Sequence, residues 1–326
     1  MKKLTVGIDV SKDKLDFCTI DNEDHSVVNR GVLDNKEGSI LKWLESLRQF
    51  EVVFCMEHTG YYGALLAWLL SEHGLCFYMI NPLELKRSIG IQRGKTDIID
   101  AYRIASFTVS HKHCLKTYKL PTETLRKLKA LMTARERYVK IAVQLKNSLK
   151  GSEILNNTLD VRSLIREEKK QIKSMERSIV VVEKQMAELI SLSEELKQTY
   201  TKVTNVIGVG PITAIKCIVE TDNFLKFPNA RKFSCHCGLA PFPYQSGSSI
   251  KGRSKTHFLR NKSLKATLFK AAGSAIQHDP QLKQYYQRKI KEGKHKLTAL
   301  NAVANKLVLR IFAVAKREEP FVKLNT

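Results

Sequence analysis

The fold of this chain is decided first by residues 4–20, which read LTVGIDVSKDKLDFCTI. Apolar residues alternate with polar or small ones along residues 4–8 and again along residues 14–20, as in strands with one buried face. The polar residues Ser11 to Asp13 separate the two runs and predict the turn of a β-hairpin. Asp9 is therefore expected at the end of the first strand.

The residues that follow alternate between strand and helix patterns. A strand near residues 27–33 precedes a helix over residues 36–50, and a continuous apolar run, residues 52–56, ends on Glu57. An unbroken apolar run is typical of a strand covered on both faces. A helix over residues 61–73, a strand over 76–80 and a helix capped by Asn81 complete the pattern of an α/β sandwich.

Four carboxylates lie at the ends of these elements. Asp9 and Glu57 follow strands, whereas Asp97 and Asp100 share one face of the first turn of a helix predicted over residues 97–111. Strand ends can converge at one sheet edge, and four acids gathered there would repel one another without divalent cations. Mg²⁺ or Mn²⁺ suits such an all-oxygen set. Taken singly, each acid could instead be a helix cap or a surface group, and Asp97 suits a first turn well.

From Pro121 the pattern becomes helical. Apolar residues recur at helical spacing up to Gly151, and a second long helix with a near-heptad stripe is predicted over residues 163–203. Two such helices predict an antiparallel coiled-coil arm that packs on itself or on another subunit. We place the domain boundaries so that the three domains cover residues 1–115, 116–203 and 204–326.

The last domain opens with two helical segments joined by the turn Gly208-Val209-Gly210. Glycines beside a helix N-terminus expose backbone N–H groups that suit a phosphate oxygen. The pattern predicts a helix-hairpin-helix of the kind found in non-specific DNA binders, and an ordinary helical turn is the plainer interpretation. Further helices predicted over 264–275, 280–291 and 296–317 make this domain mainly α-helical.

Charge indicates the kind of partner. The 326 residues include 55 Lys and Arg against 32 Asp and Glu, a formal net charge of +23, which favours nucleic acid over an anionic membrane. The stretch from Asn223 to His278 contains no carboxylate. Five of its cations are predicted to contact phosphates, with a solvated basic face as the alternative: Lys251, Arg253, Lys255, Arg260 and Lys262.

Two other features concern location and metals. No apolar run approaches the roughly 20 residues that span a bilayer, and the N-terminus enters a strand pattern directly, so we expect a cytosolic protein without a membrane partner. The cluster Cys235-His236-Cys237 is too compact to hold zinc without a distant second pair of ligands. We interpret the seven cysteines as small apolar residues.

Ser246 lies within GLAPFPYQSGSS, residues 238–249, a run of Gly, Pro and Ser that predicts a loop. A serine hydroxyl is a poor nucleophile at neutral pH unless a base or a metal activates it. No His or Asp is adjacent to Ser246 in the sequence. Composition alone therefore favours a turn residue at this position.

Five segments occur in an order that resembles a known family: GIDVSKDKLD, the Glu57-His-Thr-Gly step, KTDIIDAYRIA, GVGPITA and GLAPFPYQSGSS. Together they resemble the insertion-sequence transposases with an N-terminal DEDD, RuvC-like domain and a C-terminal domain that carries a serine, a family that includes the Piv-type invertases. The resemblance spans nearly the whole chain. It implies an α/β RuvC-like (RNase H-like) domain, a long coiled-coil helical arm, and a mainly α C-terminal domain with a helix-hairpin-helix.

The resemblance also implies a function. It implies a DNA recombinase that excises and inserts its own element, guided by an element-encoded bridge RNA. By motif match, the catalytic and metal-binding acids fall on Asp9, Glu57, Asp97 and Asp100, and the serine that becomes joined to DNA falls on Ser246. Relatives often carry a glycine where this chain reads GRSKTHFLRNKSL, which affects the loop path after Gly252.

The expected cofactor and partners follow from this reading. They are Mg²⁺ or Mn²⁺, donor and target DNA, the guide RNA, and further copies of the chain in a dimer of dimers associated with the nucleoid. Two other functions fit the residues. One is a RuvC-like nuclease that hydrolyses DNA with water, and the other is a non-catalytic, architectural nucleic-acid-binding protein.

Overall fold

The structure is a computed structural model, and it describes residues 2–58, 60–88, 90, 96–246 and 250–317. The chain divides into two compact units, one up to Leu120 and one from Pro121 onward. The first unit is α/β and the second is almost entirely helical, as the sequence predicts. The helices predicted as an arm over residues 116–203 belong mostly to the second unit, and their standing as a separate domain stays a prediction.

One five-stranded sheet forms the centre of the first unit. Its strands follow the order β3-β2-β1-β4-β5, in which β1, β2 and β3 are antiparallel neighbours and β4 and β5 run parallel to β1. The alternating runs in the sequence correctly predict the first hairpin. The strand bounds are β1 Lys3–Val10, β2 Lys14–Asp21, β3 Val27–Asp34, β4 Glu51–Glu57 and β5 Phe77–Ile80.

Helices cover both faces of this sheet. Residues such as Ile8 and Phe54 pack with Ile40 and Leu66 on one face, whereas Cys55 packs with the opposite helices. This two-sided burial explains why β4 is apolar between its terminal glutamates, from Val52 to Met56. The helices of the first face are α1 Glu37–Ser46 and α2 Ala64–Glu72, and those of the second are α3 Pro82–Ser88 and α4 Asp97–His111.

Two long helices open the second unit, α5 Glu123–Leu155 and α6 Arg162–Leu192. α6 runs antiparallel to α5, because residues farther along α5 pair with residues nearer the start of α6. The three ion pairs are Arg135 with Glu183, Lys146 with Glu176 and Glu153 with Lys169. The predicted antiparallel helical pair is therefore present. The finer description of this pair as a coiled coil stays a prediction.

The second long helix ends earlier than predicted. Its pattern continues to residue 203, but the backbone becomes extended at Ser193, whose side chain accepts a hydrogen bond from the N–H of Leu196 and caps a new helix, α7 Glu194–Thr204. Two glutamates follow Ser193 in the first turn, where the helix dipole favours negative charge. The apolar spacing from Ile190 to Leu196 continues across this break, so periodicity alone could not reveal it.

The remaining helices surround one apolar core, which includes Phe233, Leu268 and Leu307. A two-stranded hairpin interrupts them where the sequence predicts only a loop, because Gly, Pro and Ser masked the strand pattern. The elements are α8 Pro211–Glu220, α9 Ala230–His236, β6 Phe242–Ser246, β7 Ile250–Lys255, α10 Lys262–His278, α11 Pro280–Lys291 and α12 Lys296–Lys316.

The final helix, α12, is 21 residues long and apolar enough by length and composition to cross a membrane. Its apolar residues do not form a continuous run, because Asn301, Asn305, Lys306 and Arg310 lie among them. Val303, Leu307 and Ile311 of α12 are fully buried and pack in the core of the second unit. In this structure α12 serves as a core helix.

The cysteines are free thiols, and Cys18, Cys55, Cys217 and Cys237 are buried. Burial raises the pKa of Cys55 and of Cys217 to about 12. Thiols in such surroundings stay neutral and pack as apolar groups.

Candidate functional site

Two of the four predicted acids lie side by side at one edge of the sheet in the first unit. β1 and β4 are parallel neighbours, and Ile8 is in register with Met56. The next residues, Asp9 and Glu57, therefore stand together at the carboxyl ends of adjacent strands. Sequence reasoning placed both acids at strand ends, and the register now places them next to each other.

Helix α4 brings the other two acids to the same part of this unit. Gly7 lies against α4 so closely that an added Cβ would be 2.3 Å from both the Ala101 carbonyl oxygen and the Ala105 nitrogen. Asp9 shares its face of β1 with Gly7, and Asp97 and Asp100 are in the first turn of α4, just before Ala101. The edge formed by the ends of β1 and β4 with the start of α4 is called the acidic edge below.

The first turn of α4 distinguishes the interpretations of Asp97. Thr96 is the N-cap, and its hydroxyl accepts a hydrogen bond from the N–H of Ile99. Asp97 is therefore not the cap, and its Oδ2 lies 2.7 Å from Nζ of Lys14. Asp100 accepts a hydrogen bond of 2.7 Å from Nη1 of Arg103 on its own helix.

Sequence reasoning missed a fifth carboxylate at this edge. Asp16 lies directly opposite Asp9 in the antiparallel register of β1 and β2, and it is only 2% exposed. Its partner is Lys14, whose Nζ is 3.1 Å from Asp16 Oδ2. The pKa of Lys14 is raised, mainly by its hydrogen bond to Asp97 and also by its hydrogen bond to Asp16. The sequence carried no local signal for this role, because both the burial of Asp16 and its place opposite Asp9 depend on the pairing of β1 with β2.

The acids fit a divalent cation by donor chemistry, since carboxylate oxygens are the ligands that Mg²⁺ and Mn²⁺ prefer. Across the described part of the chain, no three His, Cys, Asp or Glu residues are grouped so that they could hold a metal ion. Asp97 and Asp100 are instead engaged by Lys14 and Arg103. The metal site and its four ligands therefore stay a prediction.

In the second unit, Ser246 is the last residue of β6 and is paired with Ile250 across the hairpin. The three residues between these strands, and the side chains of Ser246, Lys251 and Arg253, lie outside the described part of the chain. The backbone nevertheless places Ser246 at the end of a strand beside the turn, rather than within an irregular loop.

Several basic residues near this hairpin have described side chains. Lys255 and Lys262 are exposed. The stem of Arg260 packs over Gly238, where an added Cβ would come within 2.4 Å of the Arg260 Cδ. Burial and the charge of Arg260 lower the pKa of Lys265. Cations that repel one another in this way are typical of a surface that receives an anion.

Carboxylates from other parts of the second unit lie close to the acid-free stretch. Glu136 accepts a hydrogen bond of 3.0 Å from Ser263, and Glu220 lies 3.3 Å from Nε2 of His236. The first carboxylate after the stretch belongs to Asp279, which is 4% exposed, caps α11 and accepts a hydrogen bond from Arg310. The lack of acids is therefore a property of this stretch of sequence, and neighbouring carboxylates offset part of its charge.

The two glycines of the turn between α7 and α8 have different surroundings. Gly208 has a φ of +89°, and an added Cβ would lie 2.6 Å from Cβ of Ala275, so this glycine is required for packing against α10. Gly210 is the N-cap of α8 and has open space beside it. A cavity of about 520 Å³ lies along this turn. Of the two glycines, Gly210 is the one whose surroundings leave room for a phosphate.

Comparison with known proteins identifies the chain. A family model described as a transposase of the DEDD type of IS110 elements matches residues 6–159, and one described as "Transposase IS116/IS110/IS902 family" matches residues 200–287. The chain belongs to the IS110 family of transposases. It is thus a DNA recombination enzyme, and the purely architectural interpretation of its sequence is excluded.

Individual relatives agree with this assignment. The chain is 27% identical to the pilin gene-inverting protein of Moraxella bovis over 99% of both chains. It is 22% identical to the transposase for insertion sequence element IS1111A of Coxiella burnetii, over 98% of this chain and 92% of that protein. Among solved structures, Thermus thermophilus RuvC in complex with a Holliday junction substrate matches with 15% identity and a TM-score of 0.29, over 36% of this chain and 99% of RuvC.

Proposed function

We propose that this IS110-family transposase excises and inserts its element by serine-dependent strand exchange, under the guidance of an RNA. The observation that carries the proposal is the acidic edge, where Asp9 and Glu57 end neighbouring parallel strands beside the first turn of α4. Such an edge in an α/β domain suits phosphodiester chemistry. We assign the first unit to the RuvC-like (RNase H-like) class as part of this proposal.

In the proposed reaction, the hydroxyl of Ser246 attacks a DNA phosphorus. A bond from Oγ to phosphorus forms while a bond from phosphorus to a deoxyribose oxygen breaks, and the departing oxygen takes up a proton. A hydroxyl of the exchanged strand then attacks the phosphoserine and restores the serine. One phosphodiester is broken for each one made, so the exchange needs no external energy source.

Ser246 needs an activator from elsewhere in the protein. Asp9, Glu57, Asp97 and Asp100 would hold Mg²⁺ or Mn²⁺, and the bound cation would lower the pKa of the serine hydroxyl and stabilise charge at the phosphorus. The stretch around the β6–β7 hairpin contains no carboxylate that could activate Ser246, which supports a role for the acids of the first unit. We therefore propose that the reaction of Ser246 depends on the acids of the first unit.

The basic surface of the second unit would hold the DNA. We propose phosphate contacts from the five predicted cations, of which Lys255, Arg260 and Lys262 have described side chains, and from the N–H groups at the Gly208 and Gly210 turn. A net charge of +23 supports binding of both DNA and an element-encoded bridge RNA. The helical pair α5–α6 would assemble the subunits, as a dimer of dimers, on the nucleoid in the cytoplasm.

The test of the serine assignment is a trapping experiment. The Ser246→Ala protein should form no denaturant-resistant adduct with DNA of the element ends, because no Oγ remains to bond phosphorus, while its affinity for that DNA is unchanged. Ser254→Ala on β7 removes a nearby exposed hydroxyl and should form adduct at the wild-type level. An undiminished adduct in Ser246→Ala would rule out this serine.

A second candidate is a metal-dependent nuclease that hydrolyses DNA with water. It is favoured by the fact that all four predicted acids lie in the first unit, which would cut DNA without a serine. The same trapping experiment separates the two functions. Cleaved DNA without any adduct in the wild-type protein would favour hydrolysis.

A further inference from the structure

Lys14 contacts both Asp97 of the acidic edge and the buried carboxylate of Asp16. It lies at the start of β2, on the same face as Asp16 and Cys18, since side chains alternate along a strand. This is the face that α4 covers, because Cys18 and Ile20 pack against Ala101 and Ala105. The register of β2 thus points the Lys14 side chain toward the start of α4.

The contacts of Lys14 are asymmetric. Asp16 is 3% exposed at its side chain, so this carboxylate needs a cation and holds Lys14 Nζ at 3.1 Å. Asp97 is 50% exposed at its side chain and lies 2.7 Å from the same Nζ. The contact with Asp97 joins residues that are 83 positions apart in the chain. One end of the link is fixed in the sheet, and the other is an accessible carboxylate of the acidic edge.

We propose that Lys14 is a positioning residue, an internal cation anchored by Asp16 that holds Asp97 in the acidic edge and competes with the divalent cation for that carboxylate. This inference rests on the metal site of the proposed function. An ammonium group at 2.7 Å already neutralises one oxygen of a predicted ligand, so a metal ion must displace or share it. The Lys14 ammonium would repel a divalent cation bound at the same edge.

The test measures Mn²⁺ binding to the metal-free, full-length protein by calorimetry. Lys14→Met should bind Mn²⁺ about tenfold more tightly than wild type, because a competing positive charge is gone. Lys14→Arg keeps a cation and should retain the wild-type affinity. Lys36→Met is the control for net charge, since Lys36 pairs with exposed Asp34 at 3.6 Å in the same unit, and its affinity should not change.

A second measurement needs no metal. In the metal-free protein, backbone amides at residues 98–101 should exchange hydrogen faster in Lys14→Met than in wild type or Lys36→Met, because the first turn of α4 has lost its link to β2. Equal exchange rates would contradict the holding role.

The calorimetric outcomes also separate this inference from the proposed function. If wild-type protein binds Mn²⁺ and Lys14→Met binds it no more tightly, the competition is refuted and the metal site stands. If the wild-type protein binds no Mn²⁺ at all, the metal site itself is refuted, and the role of Lys14 falls with it.

Discussion

Gly7 determines where the acidic edge can form. The backbone of α4 lies against this glycine, with Ala101 and Ala105 as its neighbours, and any side chain at position 7 would occupy their space. Small residues on both surfaces therefore let a helix approach a strand closely. As a result, Asp97 and Asp100 come to the end of β1 that carries Asp9.

Gly7→Ala should lower the free energy of unfolding by about 3 kcal/mol, because the added methyl group overlaps backbone atoms that cannot rotate away. Urea unfolding would measure this loss. Gly38→Ala is the matched control in the same unit: Gly38 lies in the first turn of α1 with open space around it, and alanine there should raise stability by up to about 1 kcal/mol. Equal stabilities of the two variants would contradict the close approach of α4.

Some residue roles could be foreseen from the sequence, and others could not. Asp9 and Glu57 follow runs whose periodicity identifies strand ends, so their position at one edge was predictable. The contact from Lys14 to Asp97 was not, because nothing local relates residues 83 positions apart. Asp16 was overlooked for the same reason, since only the register of β1 with β2 places it opposite Asp9.

At the scale of elements, a polar network around the buried Lys216 joins three helices of the second unit. Lys216 on α8 is 4% exposed at its side chain and pairs with Glu136 on α5 at 2.5 Å. Lys216 also donates to the hydroxyls of Ser263 and Thr267 on α10, at 2.6 and 3.2 Å. The network fixes α5 against the helix that follows the β6–β7 hairpin.

Glu136→Ala should destabilise the protein by about 3 kcal/mol, because it leaves the Lys216 ammonium buried without its counter-charge. The control is Glu167→Ala, which removes an exposed partner of Lys170 at 3.7 Å and should cost no more than about 0.5 kcal/mol. Thermal unfolding of both variants provides the comparison. Similar melting temperatures would show that Lys216 does not depend on Glu136.

Elements differ in how well the sequence predicts them. The strands and helices of the first unit have strong periodic patterns, and their predicted positions are confirmed. The β6–β7 hairpin lies where the sequence predicts a loop. Pro243 and the neighbouring Gly and Ser residues interrupt the alternation of apolar and polar residues that identifies a strand. The break at Ser193 was missed because the apolar stripe continues past it, and only the cap reveals the new helix.

At the scale of the whole molecule, charge is divided between the two units. The first unit carries the acidic edge, whereas the second carries a stretch of 56 residues, Asn223 to His278, with ten Lys and Arg and no carboxylate. A metal-dependent phosphodiester reaction requires both kinds of surface, one for cations and one for DNA. We propose that Ser246 reacts only with the help of the carboxylates of the acidic edge.

The most direct test of this claim is the yield of covalent protein–DNA adduct from the full-length Asp9→Asn protein, supplied with element-end DNA, its RNA and Mg²⁺. Asparagine preserves the shape of Asp9 and removes its charge, so binding of DNA should persist. We predict at least about a hundredfold less adduct than from wild type, although Ser246 is intact. Adduct at the wild-type level would contradict the account, because it would show that Ser246 is activated without the acidic edge.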